Sequence, residues 1–188
     1  MLDQYIQEAI ENRRAIHRRP EEGWTEFETM WRVCRQLKQW NIPYLVGTKV
    51  INKDYVMGRN QDLVDDAINR ALKQGVPQSF IDETEGYTGA VAIIDTGRAG
   101  PVTAFRFDMD ALPVRESKEC SHLPTKLGFA SERPGFMHAC GHDTLLQGSL
   151  LLTGLLTINQ NFAENLNYSF NLQKKVSEAP VLCLSPAF

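Results

Sequence analysis

Residues 89–114 read GAVAIIDTGRAGPVTAFRFDMDALPV. Gly89 to Asp95 is an apolar run rich in β-forming residues, Gly97-Arg98-Ala99-Gly100 is a turn, and Val102 to Phe107 is a second strand. The pattern predicts a hairpin entering a sheet. Upstream, the period becomes helical. Residues 3 to 18 place Ile6, Ala9, Ile10 and Ile16 on one face, with Pro20 and Gly23 as the stop. A second helix shows Phe27, Met30, Trp31, Cys34 and Leu37 at helical intervals, a stripe that reads as core. Thr25 with Glu28 three residues on has the spacing of a capping box. Asn41 to Val50 reads as a turn and a short strand. Gln61 to Gln74 reads as an amphipathic helix closed by Gly75 and Pro77. Helices come first and strands follow, which places the chain in the α/β class.

The 188 residues suffice for one domain, or one with a small addition. With 43% apolar and 23% charged residues, the chain has the composition of a packed protein rather than a disordered one. Twenty basic against 23 acidic residues give a net charge of −3, which provides no cationic field for nucleic acid or an anionic membrane. No apolar run is long enough to span a bilayer, and Met1-Leu2-Asp3-Gln4 does not open a secretory signal. The expectation is a cytoplasmic protein. Cys34, Cys120, Cys140 and Cys183 show no disulfide framework at their spacings.

Two strings carry chemistry. His138-Ala139-Cys140-Gly141-His142-Asp143 sets a thiol and two imidazoles two residues apart. Sulfur and imidazole nitrogen suit zinc and related metals, and alternate residues of an extended segment face one side. Asp143 could orient an imidazole; the bland alternative is a partly buried loop of ordinary polar residues. Asp108-Met109-Asp110-Ala111-Leu112-Pro113 places two carboxylates at a strand end, where they could serve a metal or steer a ligand histidine. The bland alternative is a solvated turn, with Arg106 neutralising the pair. Residues 116 to 137 lack periodicity, and so long a loop in a packed domain is functional or disordered.

HRRPEEGWTEFET, then GAVAIIDTGRAGPVTAFRFDMDALPV, then GFMHACGHD occur in that order. Together they resemble the amino-terminal part of the dimetal aminoacylase/carboxypeptidase-like amidohydrolases. That family includes hippurate hydrolases, auxin-conjugate hydrolases and the aminobenzoyl-glutamate utilisation hydrolases. VINKDYVMG and HLPTKLGFASERPGFMHACGHD are similar to the last of these in particular. The resemblance covers residues 12 to 143. It implies the amino-terminal part of a metallopeptidase-like catalytic domain, with helices packed on a mixed sheet and the lid domain absent.

The resemblance also implies a hydrolase that cleaves an amide next to a carboxylate in a small N-acyl amino acid, such as aminobenzoyl-glutamate, with divalent zinc or manganese. Cys140 and His142 match metal ligands, and Asp110 matches a supporting catalytic aspartate. The resemblance alone makes a homo- or hetero-oligomer possible. The family's base-and-ligand motif PAEEG does not occur in the chain, and Leu145 stands where the family pattern has a histidine.

The departure begins directly after Asp143, and codon arithmetic offers a reason. If the last base of each codon is read with the first two of the next, Asn167-Tyr168 must give leucine. Ser169-Phe170 allows phenylalanine, and Phe170-Asn171 gives glutamine or a stop. Continued through Pro180, the shifted frame permits L(L/F)FQPAEEGVRGA, and Asp143 to Gly148 permits HTAAG. The expectation is a domain over 1–143 and an out-of-frame tail over 144–188, one base or four having been lost. The chain as written would then be inactive alone. It could instead be a non-catalytic metal-binding or interaction module, or one half of a split enzyme.

Overall fold

The computed structural model describes residues 2–95, 102–148 and 150, together with the backbone of a strand at 167–172. Five helices and four strands are defined there: α1 Leu2–Arg18, α2 Phe27–Gln39, β1 Tyr44–Val46, α3 Gln61–Lys73, α4 Gln78–Thr84, β2 Ala90–Ile94, β3 Val102–Arg106, α5 Leu123–Lys126 and β4 Asn167–Leu172. Residues 142–148 form a further helical stretch.

The apolar stripe of α2 builds the core as its period predicts. Phe27, Met30, Val33, Cys34 and Leu37 are all fully buried, and Ala90 and Ala92 of β2, Val64, Ala67 and Ala71 of α3 and Leu146 join the same cluster. Trp31 packs at its margin beneath the Arg35 guanidinium, 4.9 Å from the ring centre. The stripe of α1 is buried only at its end: Ile16 is inside, whereas Ile6 and Ile10 keep more than a third of their surface.

The expected capping box does not form. The Thr25 hydroxyl donates to Glu22 O, and Glu26 is the N-cap of α2 without a side-chain bond of its own to the helix. The first-turn amides of α2 donate instead to the Glu21 carboxylate, Glu28 N to Oε1 at 3.1 Å and Thr29 N to Oε2 at 2.8 Å. A carboxylate at a helix N-terminus satisfies free amides and meets the positive end of the helix dipole. Helix α3 carries a local cap, Asn60 Oδ1 accepting from Asp62 N and Leu63 N.

The four-stranded sheet has the order β1-β2-β4-β3. Strands β1 and β4 both run antiparallel to β2, and β3 runs parallel to β4. The sheet is therefore mixed, as expected, but β2 and β3 are not a hairpin. Strand β4 lies between them, with Ala92 opposite Phe170 and Phe105 opposite the same residue on the other side. The turn residues 97–100 lie outside the described residues.

Gly47 follows β1 at φ +60, and a Cβ there would stand 2.2 Å from Thr84 O. Gly75 ends α3 at φ +89 with open space around it. Gly47→Ala meets both a left-handed backbone and a backbone clash, Gly75→Ala only the first. Denaturant unfolding is expected to show a loss of about 3 kcal/mol for Gly47→Ala and about 1 kcal/mol for Gly75→Ala.

Candidate metal centre

Three segments meet around Asp110. The Glu21 carbonyl accepts from Ala111 N at 2.7 Å, which ties the loop before α2 to the Asp110 loop. Leu112 and Met137 exchange backbone bonds at 3.0 and 3.1 Å, which ties that loop to the segment leading into Cys140. The HRRPEEG stretch is also fastened to residues 128–133: Arg18 donates to Gly128 O, Glu132 N to Arg18 O, and Arg133 pairs with Glu22 at 3.0 Å.

The two aspartates divide. Asp108 accepts from its neighbour Arg106 at 2.8 Å, the neutralising role expected of that arginine. Asp110 stands beside His142. His142 Nδ1 donates to the Asp110 carbonyl oxygen at 2.9 Å, and the Asp110 carboxylate is 3.2 Å from the same nitrogen. A carbonyl oxygen only accepts, so Nδ1 carries a proton and Nε2 is the nitrogen that can offer a lone pair. That is the tautomer a cation ligand needs, fixed by the kind of partner through which ligating histidines are ordinarily oriented.

Cys140 is exposed, and Gly141 turns the chain at φ +75 into helix 142–148. His138 is buried at 4% exposure, and neither ring nitrogen has a hydrogen-bond partner among the described residues. Burial pushes its pKa down to about 4 against the pull of Asp143, so the ring is neutral. Among the described residues no three His, Cys, Asp or Glu side chains stand together as a cation shell.

Asp143 does not orient either neighbouring histidine. It is buried and faces α1, where its Oδ2 accepts from Arg13 Nε and His17 Nδ1, both at 2.9 Å. His17 Nε2 reaches Glu116 Oε1 at 2.9 Å, and the same oxygen accepts from His122 Nε2 at 2.8 Å. Glu116 Oε2 also takes a short bond from Ser131 N. Burial opposes charge on His17, but its hydrogen bonds to Asp143 and Glu116 and their negative charges outweigh it and raise its pKa. Burial likewise works against ionisation of Glu116, yet Ser131 N, His17 and His122 hold its pKa below the ordinary carboxylate value. Glu116 thus ties together residues 116–131, which hold α5 and form most of the 116–137 stretch that lacks periodicity. Sequence pattern assigns no role to His17 or Glu116, although His17 opens the HRRPEEGWTEFET string. The other legible signal is a histidine in the last, basic turn of α1.

By donor type alone, His142 Nε2 and the Cys140 sulfur suit a cation and His138 is an unpartnered ring in the same segment, although the three do not stand together as one shell among the described residues.

No family model matches the chain. A curated relative from Haemophilus influenzae, a homolog of a p-aminobenzoyl-glutamate hydrolase subunit, is 41% identical over 140 residues, 74% of this chain and 33% of the relative. The indole-3-acetyl-aspartic acid hydrolase of Enterobacter agglomerans is 38% identical over 89% of this chain and 39% of its own length. The chain thus spans between a third and two fifths of these two relatives. A Bacillus subtilis crystal structure described as a dinuclear metal binding peptidase of the M20 family superposes with a TM-score of 0.61 and 28% identity. The match covers 92% of this chain and 36% of that one.

Burial raises the Glu21 carboxyl from 4.5 to about 7, against the Thr29 and Glu28 amides that lower it. The folded state therefore binds more protons than the unfolded state between pH 4.5 and 7. Stability falls as pH rises across that window and is then level, by on the order of 1–3 kcal/mol. Denaturant midpoints taken across the window should lose this component in Glu21→Gln. With its helices on a mixed sheet and its motifs in order, the chain is similar, over part of their length, to the amidohydrolases named above and to a dinuclear metal binding peptidase of the M20 family.

Proposed function

We propose that this chain carries part of the centre of a metal-dependent amidohydrolase acting on N-acyl amino acids, with p-aminobenzoyl-glutamate, split to p-aminobenzoate and glutamate, as the substrate. The single observation that carries the reading is the bond from His142 Nδ1 to the Asp110 carbonyl, which leaves Nε2 free to ligate. Cys140 and His142 would hold a divalent cation, zinc or manganese, and Asp110 orients His142. When bound, such a cation supplies Lewis acidity toward an amide carbonyl and toward water. The neutral His138 ring lies buried in the same segment, where it adds no positive charge to repel a cation. A cytoplasmic setting suits this reading because it keeps Cys140 reduced.

The chain as written is proposed to be inactive alone. Residues 144–188 contain no PAEEG, whereas the shifted frame permits it. A missing general base costs on the order of 100- to 10,000-fold. We read residues 1–143 as the amidohydrolase segment and 144–188 as the out-of-frame tail. A second reading, with 144–188 authentic, draws on the match to 89% of the chain and on the pairing of β4. The pairing of β4 is made by main-chain groups of the chain as written, NYSFNL, whereas the shifted frame over the same stretch reads L(L/F)FQP, whose proline lacks a ladder donor.

The nucleotide sequence of codons 140–180 decides: codons that cannot spell the shifted motif overturn the frame reading. Inserting one base after codon 143 is expected to bring hydrolysis of aminobenzoyl-glutamate with Mn2+ or Zn2+, while the chain as written shows none. Turnover by the unaltered chain at ordinary enzymatic rates, roughly 1–1,000 per second, would contradict its inactivity. A non-catalytic cation module is the alternative outcome, favoured by the absence of a three-residue shell among the described residues. It is recognised by zinc binding that Cys140→Ala weakens at least about tenfold, without hydrolysis in either frame.

A further inference from the structure

We propose that His17 is a positioning residue for the Cys140–His142 segment, its ring spanning Asp143 and Glu116 and so fixing the start of the helix that carries His142. The proposal rests on the reading that Cys140 and His142 hold a divalent cation.

The geometry is that of a built clamp. His17 is 3% exposed, and its partners lie 126 and 99 residues away in sequence. Both partners are carboxylates, so both ring nitrogens donate, and the ring carries two protons. No neutral side chain of similar size donates in two opposite directions. Arg13 stands one helical turn before His17 and donates to the same Asp143 oxygen, so one face of α1 holds Asp143 with two cations. Asp143 is the residue after His142. The helix start is thereby held on two sides, by α1 through Asp143 and by the Asp110 carbonyl through His142. With the first hold removed, the His142 ring keeps the bond to the Asp110 carbonyl and its helix keeps Leu146 in the core, but the residue next to His142 loses its anchor on α1.

The far end of the clamp is equally constrained. Glu116 is bonded to His122 and Ser131 as well as His17, and Phe129 meets the His17 ring edge-on at 5.5 Å. The guanidinium groups of Arg13 and Arg14 lie over that same phenyl ring at 5.4 and 5.1 Å. His17 therefore connects the 116–131 excursion to the segment that would bind the cation. The His138 ring also lies near, 6.2 Å from that of His17.

The test is a Co2+ titration of the full chain, followed by the thiolate charge-transfer absorption of Cys140, with thermal unfolding of each variant in parallel. The wild type is expected to give the band and Cys140→Ala to lack it. His17→Gln is expected to unfold cooperatively yet bind Co2+ about 10- to 100-fold more weakly, and Glu116→Gln to shift in the same direction. A folded His17→Gln that binds as tightly as the wild type overturns the proposal. If His17→Gln does not fold, unchanged affinity in Glu116→Gln overturns it on the same terms. Loss of cooperative unfolding in both variants shows a role in the whole fold and overturns it too. Absence of the band in the wild type is a different failure, because it removes the cation reading on which the clamp depends.

Discussion

Glu21 is the residue on which the core and the site meet. Its carboxylate closes the amino terminus of α2, and its own carbonyl holds Ala111 beside Asp110. The core helix and the site loop are therefore referenced to one backbone position. The carboxylate is buried at an energetic cost, which its two amide partners offset only in part. Pro20 assists by holding the approach, its carbonyl accepting from Arg133. Trp24 adopts a left-handed φ of 70, turns the chain into α2 and anchors its indole on Met57 O. The conspicuous HRRPEEGW string is thus architectural: it locates the segments that carry the candidate cation ligands.

The helices were legible because their information is local. The α2 stripe repeats at the helical period, and each of its predicted core residues except Trp31 is fully buried. Failures came where the deciding partner was distant or belonged to the main chain. The capping box at Thr25 and Glu28 satisfied the spacing, but a carboxylate from Glu21 takes the amides instead. The hairpin over residues 89–107 had the right strands and the wrong neighbour, since β4 arrives from residues 167–172 to separate them. Helix α4 escapes pattern reading because its seven residues are too few to establish a period.

At the site, the residue types of His138 to Asp143 are those that suit a cation. Asp110 was found as half of a carboxylate pair, although the pair does not act as one. What joins Asp110 to His142 is a carbonyl oxygen, which every residue possesses and which no sequence pattern marks. The roles of His17 and Glu116 were illegible for a related reason. A histidine near a helix end and a glutamate in an aperiodic loop look like solvated surface until the fold brings them together.

The placement of β4 has a bearing on how the protein is made. Strands β2 and β3 have emerged from the ribosome long before residues 167–172 are synthesised, yet each depends on that strand for a partner. During that interval β2 has only β1 beside it, and β3 has no neighbour among the described strands. Pairings between such distant stretches form late and slowly, and waiting strand edges are where nascent chains stick to one another. The vulnerable period in the life of this molecule is therefore its own elongation, when a chaperone that shields open strands would have the most to do.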